Sequence, residues 1–221
     1  IKDGKIIYAR GYGIANLEQN VPITKKTVFY IASTSKQFTA ACIALLAQRN
    51  KLALDDPVRK YLPELPEPYQ PVTLRHLIHH TSGIRDFQTL LDIQGRTDDV
   101  NTEQDVIELL ARQKQLNFNP GEQFEYSNSG YFLLGVIVKR VSGQSLREFA
   151  EENIFNPLGM KNTHFHDDRS LLVNNRASGY VPRRGGGYSL YTTNLDLVGN
   201  GGLMTTVEDL FLWDQNFYEN K

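Results

Sequence analysis

The chain has 221 residues with 24 basic and 25 acidic side chains, a net charge of −1, so it offers no basic footprint for nucleic acid and no polybasic membrane anchor. Hydrophobic residues at 40% and charged residues at 22% are ordinary for a globular protein, and the length suffices for one large domain or two small interleaved lobes. A single cysteine, Cys42, excludes an intrachain disulfide and leaves the redox compartment open; no apolar run approaches a membrane span, and the opening Ile1-Lys2-Asp3-Gly4-Lys5 is not a signal sequence.

Asp3-Gly4 is a hairpin-turn signal, and the β-branched and aromatic residues that follow, Ile6 to Ala9 and Tyr12 to Ala15, predict two strand-like stretches broken around Gly11 and Gly13. An Asp-Gly turn implies a strand before it, of which only two residues are present. Gly11 and Gly13 read as strand glycines, because no helix follows and a nucleotide-loop spacing is incomplete. Thr27 to Ile31 predicts a short buried strand. At its end Ser33-Thr34-Ser35-Lys36 opens an apolar run from Phe38 to Ala47, which predicts a helix covered on nearly every side, with Cys42 as a packing residue and Asn50 as its stop.

Ser33 at the first helical turn would put Lys36, three residues on, on the same face and within reach of its hydroxyl. A serine hydroxyl is a poor nucleophile at neutral pH and needs a base beside it, and burial or nearby cations can fit a lysine for that task. The unpaired N–H groups of the same helix start, that of Ser33 included, can donate to an oxyanion. Alone the signal is weak, because Ser and Thr are favoured N-caps and Lys is common in helices.

The prolines at 57, 63, 66 and 68 exclude regular structure and mark a passage between lobes. Thr73 caps a short helix through Ile78 that ends at Thr81-Ser82-Gly83; His76, His79 and His80 on it read as packing and capping residues, since no matching Cys or carboxylate set lies nearby. Thr102 to Gln113 is an amphipathic helix. Between the Asn119-Pro120-Gly121 turn and an apolar helix of Phe132 to Val141 lies Phe124-Glu125-Tyr126-Ser127-Asn128-Ser129-Gly130-Tyr131, a polar loop suited to a cleft. Ser145 caps a further helix that Asn156-Pro157-Leu158-Gly159-Met160 ends. From His164 to Asn200 the pattern is loop-like, with Arg183-Arg184-Gly185-Gly186-Gly187 a weak phosphate-cradle signal, and Thr205 or Thr206 caps a last helix.

Taken in order, Ser33-Thr34-Ser35-Lys36, Leu74-Arg75-His76-Leu77-Ile78-His79-His80-Thr81-Ser82-Gly83, Pro120-Gly121 through Tyr131, and Gly201-Gly202-Leu203-Met204-Thr205-Thr206 resemble the serine β-lactamase and penicillin-binding-protein superfamily. The likeness is strongest to the class C β-lactamase and D-alanyl-D-alanine carboxypeptidase branch with its esterase relatives. It implies an α/β plus all-α two-lobe fold: an antiparallel sheet with an inserted helical lobe, the α/β lobe at about 1–56 and 201–221 and the helical lobe at about 57–200. By the same resemblance Ser33 matches the acylated nucleophile and Lys36 its partner, while Tyr126 and Asn128 match the Y-x-N element. A phenolate near Lys36 can take and return the serine proton, and the Asn128 amide can hold either Lys36 or the substrate amide.

The family's third element, Lys or His, any residue, then Gly on a late strand, has no match after Gly202; Lys2-Asp3-Gly4 fits only by letter. The expectation is a fold incomplete at both ends, a poor catalyst on its own, with an exposed sheet edge. The resemblance implies a serine hydrolase that forms an acyl-enzyme with a D-alanyl peptide, a β-lactam or a small ester, without cofactor or metal, in an exported or periplasmic setting. The alternative is a non-catalytic penicillin-recognising sensor of the same fold.

Overall fold

A computed structural model describes residues 1–96, 99–191 and 196–219. The Asp3-Gly4 turn forms, with both residues at positive φ and Lys2 bridged to Lys5. Beyond it the predicted strand of Ile6 to Ala9 does not form: Ile6, Ile7 and Tyr8 are exposed and carry no strand pairing among the described residues. The first hairpin comes later, β1 (Ile14–Asn16) against β2 (Val21–Pro22). Of the strand predicted over Thr27 to Ile31, β3 keeps only Phe29–Tyr30.

After β3 the chain makes one tight helical turn, Ala32–Ser35, and runs into α1 (Lys36–Gln48). Asn50, at positive φ, lies just past the end of α1, as its sequence position predicts. Phe38, Cys42, Ile43 and Leu46 of α1 are buried, and burial pushes the Cys42 thiol up to about 12. Gln37, Ala44 and Gln48 are exposed, so α1 is covered on one broad side rather than nearly all round.

The proline-rich passage leads to α2 (Leu74–Ile78), capped by Thr73, and then α3 (Phe87–Ile93), capped by Asp86. Next come α4 (Glu103–Ala111), whose Thr102 and Asp105 form a capping box, and the long α5 (Asn128–Ser142), which ends on left-handed Gly143. A short α6 (Leu146–Ala150), capped by Ser145, passes through a wide turn into α7 (Asn156–Leu158).

The stretch read as loop from His164 onward carries three short strands: β4 (His164–Phe165), β5 (Gly179–Pro182) and β6 (Tyr188–Tyr191). The glycine-rich Arg183 to Gly187 segment is the turn of the β5–β6 hairpin, where Arg183 N–H donates to the Gly187 carbonyl. Residues 192–195 of that stretch lie outside the described residues. Finally β7 (Leu203–Thr205) pairs antiparallel with both β3 and β4, and α8 (Val207–Glu219) follows, its Thr206 cap accepting from Asp209 N–H. β4 therefore belongs to the same sheet as β3 and β7, although it lies inside the span expected to be helical.

α1 packs against α5, and the fully buried Phe38 ring lies 4.6 Å from the Trp213 ring of α8 and 5.7 Å from that of Phe155, centroid to centroid. Buried Asp209 ties the sheet to α8 by accepting from Asn162 N–H and Thr163 Oγ1, each at 2.7 Å.

Candidate active site

Ala32, immediately before Ser33, sits at φ +46, a region that costs a residue with a Cβ about 1–3 kcal/mol. The turn that follows is held from within and without: Ser35 Oγ donates to the Ala32 carbonyl at 2.5 Å and accepts from Leu203 N–H of β7 at 3.1 Å. Ser35 is thereby buried and fully engaged, whereas Ser33 is exposed and points at the site. Lys36 Nζ donates to Ser33 Oγ at 3.2 Å, and the Tyr126 hydroxyl donates to the same oxygen at 2.6 Å.

Lys36 is 6% exposed, and its ammonium finds three acceptors: Ser33 Oγ, Asn128 Oδ1 at 3.0 Å and the Asn200 carbonyl at 2.5 Å. Three N–H donors thus meet three oxygens, which is what a buried ammonium needs. The Tyr126 and Tyr131 rings add aromatic faces 4.8 and 5.6 Å from Nζ. Burial, followed by the Tyr126 neighbour, raises the pKa of Tyr131, whose hydroxyl donates to the Ile78 carbonyl at 3.0 Å.

The sequence left two uses open for the Asn128 amide. Its Oδ1 faces Lys36, and its Nδ2 donates to Gln88 Oε1 at 2.8 Å, so both ends are engaged within the protein. Asn128 is not on a loop: Ser127 caps α5, and Asn128 is the first helical residue. Its backbone N–H donates at 2.5 Å to Asp86 Oδ2, while Asp86 Oδ1 accepts from Gln88 and Thr89 N–H, so one carboxylate serves the starts of two helices.

The structure brings together all four sequence-predicted residues, Ser33, Lys36, Tyr126 and Asn128. It adds several that the sequence did not single out. Tyr131, three residues after Asn128, shares its helix face, a signal the spacing carried. Gln88 had no comparable mark. The Asn200 carbonyl comes from backbone shaped by Gly199, whose φ is +109 and where a Cβ would lie 2.6 Å from the Tyr131 carbonyl. Gly199's own carbonyl accepts from Thr39 of α1 at 2.8 Å. Of the three histidines, His76 completes the Thr73 capping box and His80 stacks on Tyr126.

A serine shared by a buried lysine and a tyrosine, on a mixed α/β fold with antiparallel sheets, places the chain in the serine β-lactamase and penicillin-binding-protein superfamily. The family described as Beta-lactamase matches residues 1–219, and the chain belongs to that family. It is 34% identical to penicillin-binding protein 4* of Bacillus subtilis (strain 168), over 98% of this chain and 51% of that protein. It is 28% identical to a D-aminopeptidase of Gluconobacter oxydans (strain 621H), over 100% of this chain and 42% of that protein. Among solved structures, the octameric penicillin-binding protein homologue from Pyrococcus abyssi superposes with a TM-score of 0.89 at 33% identity, covering 100% of this chain and 51% of that one. The D-amino acid amidase from Ochrobactrum anthropi SV3, complexed with L-phenylalanine amide, gives a TM-score of 0.76 at 26% identity, covering 94% and 60%. The chain spans about half the length of the curated relatives it matches.

Proposed function

We propose that the protein is a serine hydrolase that acylates Ser33 with an amide or ester carbonyl and then releases the acyl group to water. The observation that carries this reading is Ser33 Oγ lying 2.6 Å from the Tyr126 hydroxyl and 3.2 Å from Lys36 Nζ. Both distances allow direct proton transfer. The other two partners of Lys36 are carbonyl oxygens, which only accept, so a neutral Lys36 can turn its lone pair toward nothing but the Ser33 hydroxyl. A Tyr126 phenolate would take the same proton, with the Lys36 ammonium beside it as counter-charge.

In either state Ser33 Oγ bonds to the carbonyl carbon, its proton passes to Tyr126 or Lys36, and that proton then goes to the departing nitrogen or oxygen as the carbonyl bond to it breaks. Water reverses the sequence to free Ser33. Asn128 serves by holding Lys36, and the Ser33 N–H is the proposed oxyanion donor. The proposed lobes, 1–56 with 201–221 and 57–200, would each supply half of the site: Ser33 and Lys36 from one, Tyr126 and Asn128 from the other. The names of the relatives favour amides over esters, with a D-alanyl peptide, another D-residue amide or a β-lactam as the substrate class.

The test is labelling of the full-length protein with a fluorescent penicillin and with a fluorophosphonate, mapping of the adduct by mass spectrometry, and measurement of its release. We expect the adduct on Ser33, none in Ser33→Ala, and turnover of at least one chromogenic amide or ester. An adduct on Ser33 that is never released would replace the hydrolase with a penicillin-recognising sensor, and an adduct elsewhere would sink the assignment.

A further inference from the structure

Tyr126 is 46% exposed and lies in the connection before α5, so neither core packing nor helix geometry keeps its hydroxyl 2.6 Å from Ser33. Besides its contacts with Ser33 and Lys36, its ring and the backbone N–H groups on either side of it are held by one residue from a different segment. After α2 the chain reverses at His80, which takes φ +57, a left-handed conformation uncommon for a residue with a side chain. There its carbonyl accepts from Glu125 N–H at 2.9 Å and its Nδ1 accepts from Ser127 N–H at 3.1 Å. Its ring also stacks on Tyr126, with centroids 4.6 Å apart and planes at 30°. The residues before, at and after the tyrosine are thus all gripped by His80.

The ring is itself braced by Tyr131 at 5.1 Å and Phe124 at 5.9 Å. Accepting at Nδ1 assigns the neutral ring's proton to Nε2. Burial, and then the Lys36 charge, lower the imidazole's pKa and favour that neutral form.

We infer that His80 is a positioning residue for Tyr126, fixing the phenol against Ser33 by its stack and by its two hydrogen bonds to the flanking backbone. This rests on the proposed acylation of Ser33. Misplacing a reacting group by about 1 Å typically costs about 100-fold in rate, whereas loss of a remote stabilising contact leaves the folded molecules as fast as before.

The experiment measures acylation of the full-length protein by a fluorescent penicillin, as rate constant and half-saturation separately, at a temperature where every variant is folded by circular dichroism. His80→Ala should slow acylation about 10-fold to 100-fold and change half-saturation less than about threefold. His80→Asn tolerates the positive φ and keeps an acceptor near the Nδ1 position while losing the ring, so it should recover part of the rate; it also carries the comparison if the Ala variant fails to fold. The decisive arm is Tyr126→Phe, in which adding His80→Asn should cost less than about twofold, because the hydroxyl being positioned is already gone. Equal losses with and without the Tyr126 hydroxyl would make His80 merely structural, and a full rate in both single variants would remove the role altogether. A wild-type protein that is not acylated at Ser33 would instead overturn the functional reading, and the positioning role with it.

Discussion

Two stretches rich in β-branched and aromatic residues end in opposite states. Phe29 and Tyr30 pair with Thr205 and Met204 of β7 and feed directly into the Ser33 turn. Ile6, Ile7 and Tyr8, of similar composition, lie 49%, 67% and 64% exposed without a strand partner among the described residues. Composition therefore marks a capacity to form a strand, and the partner decides whether it does. For the first stretch the partner does more than pair. Leu203 N–H donates to Ser35, and in the segment before it the Gly199 and Asn200 carbonyls accept from Thr39 and Lys36. Strand, turn and lysine are fixed by one neighbouring segment, and this is what makes the region a site and leaves the other an exposed stretch.

The sharpest way to test the built region is to remove one atom from it. Tyr126→Phe takes the hydroxyl off Ser33 while leaving the ring on His80, and should lower the acylation rate about 100-fold to 10,000-fold with little effect on substrate binding. Stopped-flow acylation would read it. Retention of the wild-type rate would make Lys36 the sole base.

Burial in the sheet should also show in its protonation. Desolvation, then the Arg147 guanidinium, pulls the His164 imidazole of β4 down to about 4 from its ordinary 6.5. Arg176 and His166 push the same way, and Asp167 opposes them. Above pH 6.5 the ring is neutral folded or unfolded; below it the unfolded chain takes the proton first, so this stability is lost as pH falls from about 6.5 toward 4. Because solvent screens the half-exposed ring, the loss should be on the order of 1–2 kcal/mol, read as the difference between wild type and His164→Asn in urea unfolding at pH 7 and pH 4.5. Parallel pH dependences in the two proteins would refute it.

Asn128→Ala should cost less, about 10-fold in acylation, by leaving one Lys36 N–H without its acceptor and Gln88 without its donor. Half-saturation should stay put if Asn128 acts through Lys36. A rise in half-saturation with an unchanged rate would return Asn128 to the substrate.

Much of this region was legible because its signals are local. Ser33 and Lys36 are three residues apart, and Thr73, Ser145 and Thr206 announce their helices by capping chemistry. Tyr126 and Asn128 were reached by family order, not by spacing. What stayed hidden depends on residues distant in the chain. β4 has two residues, too few for a pattern, and exists because His164 and Phe165 meet Met204 and Leu203. The Asn200 contribution is a backbone carbonyl, which every residue has. Gln88 reaches Asn128 only because Asp86 joins the starts of α3 and α5.

The exposed stretch supplies the smallest expected effect and the most direct challenge to that contrast. Ile7 at 67% exposure has little apolar contact to lose, so Ile7→Ser should change stability by about 0.5 kcal/mol or less and leave acylation of Ser33 unaltered. Phe38, fully buried against Trp213 and Phe155, should cost about 3–5 kcal/mol on truncation to Ala. Urea unfolding of both variants gives the ratio directly. A loss of about 2 kcal/mol or more at Ile7 would be the cost of uncovering a buried side chain, not an exposed one. The stretch would then have a partner in solution after all, and the contrast between the two regions would be one of which partner each strand meets, not of whether it meets one.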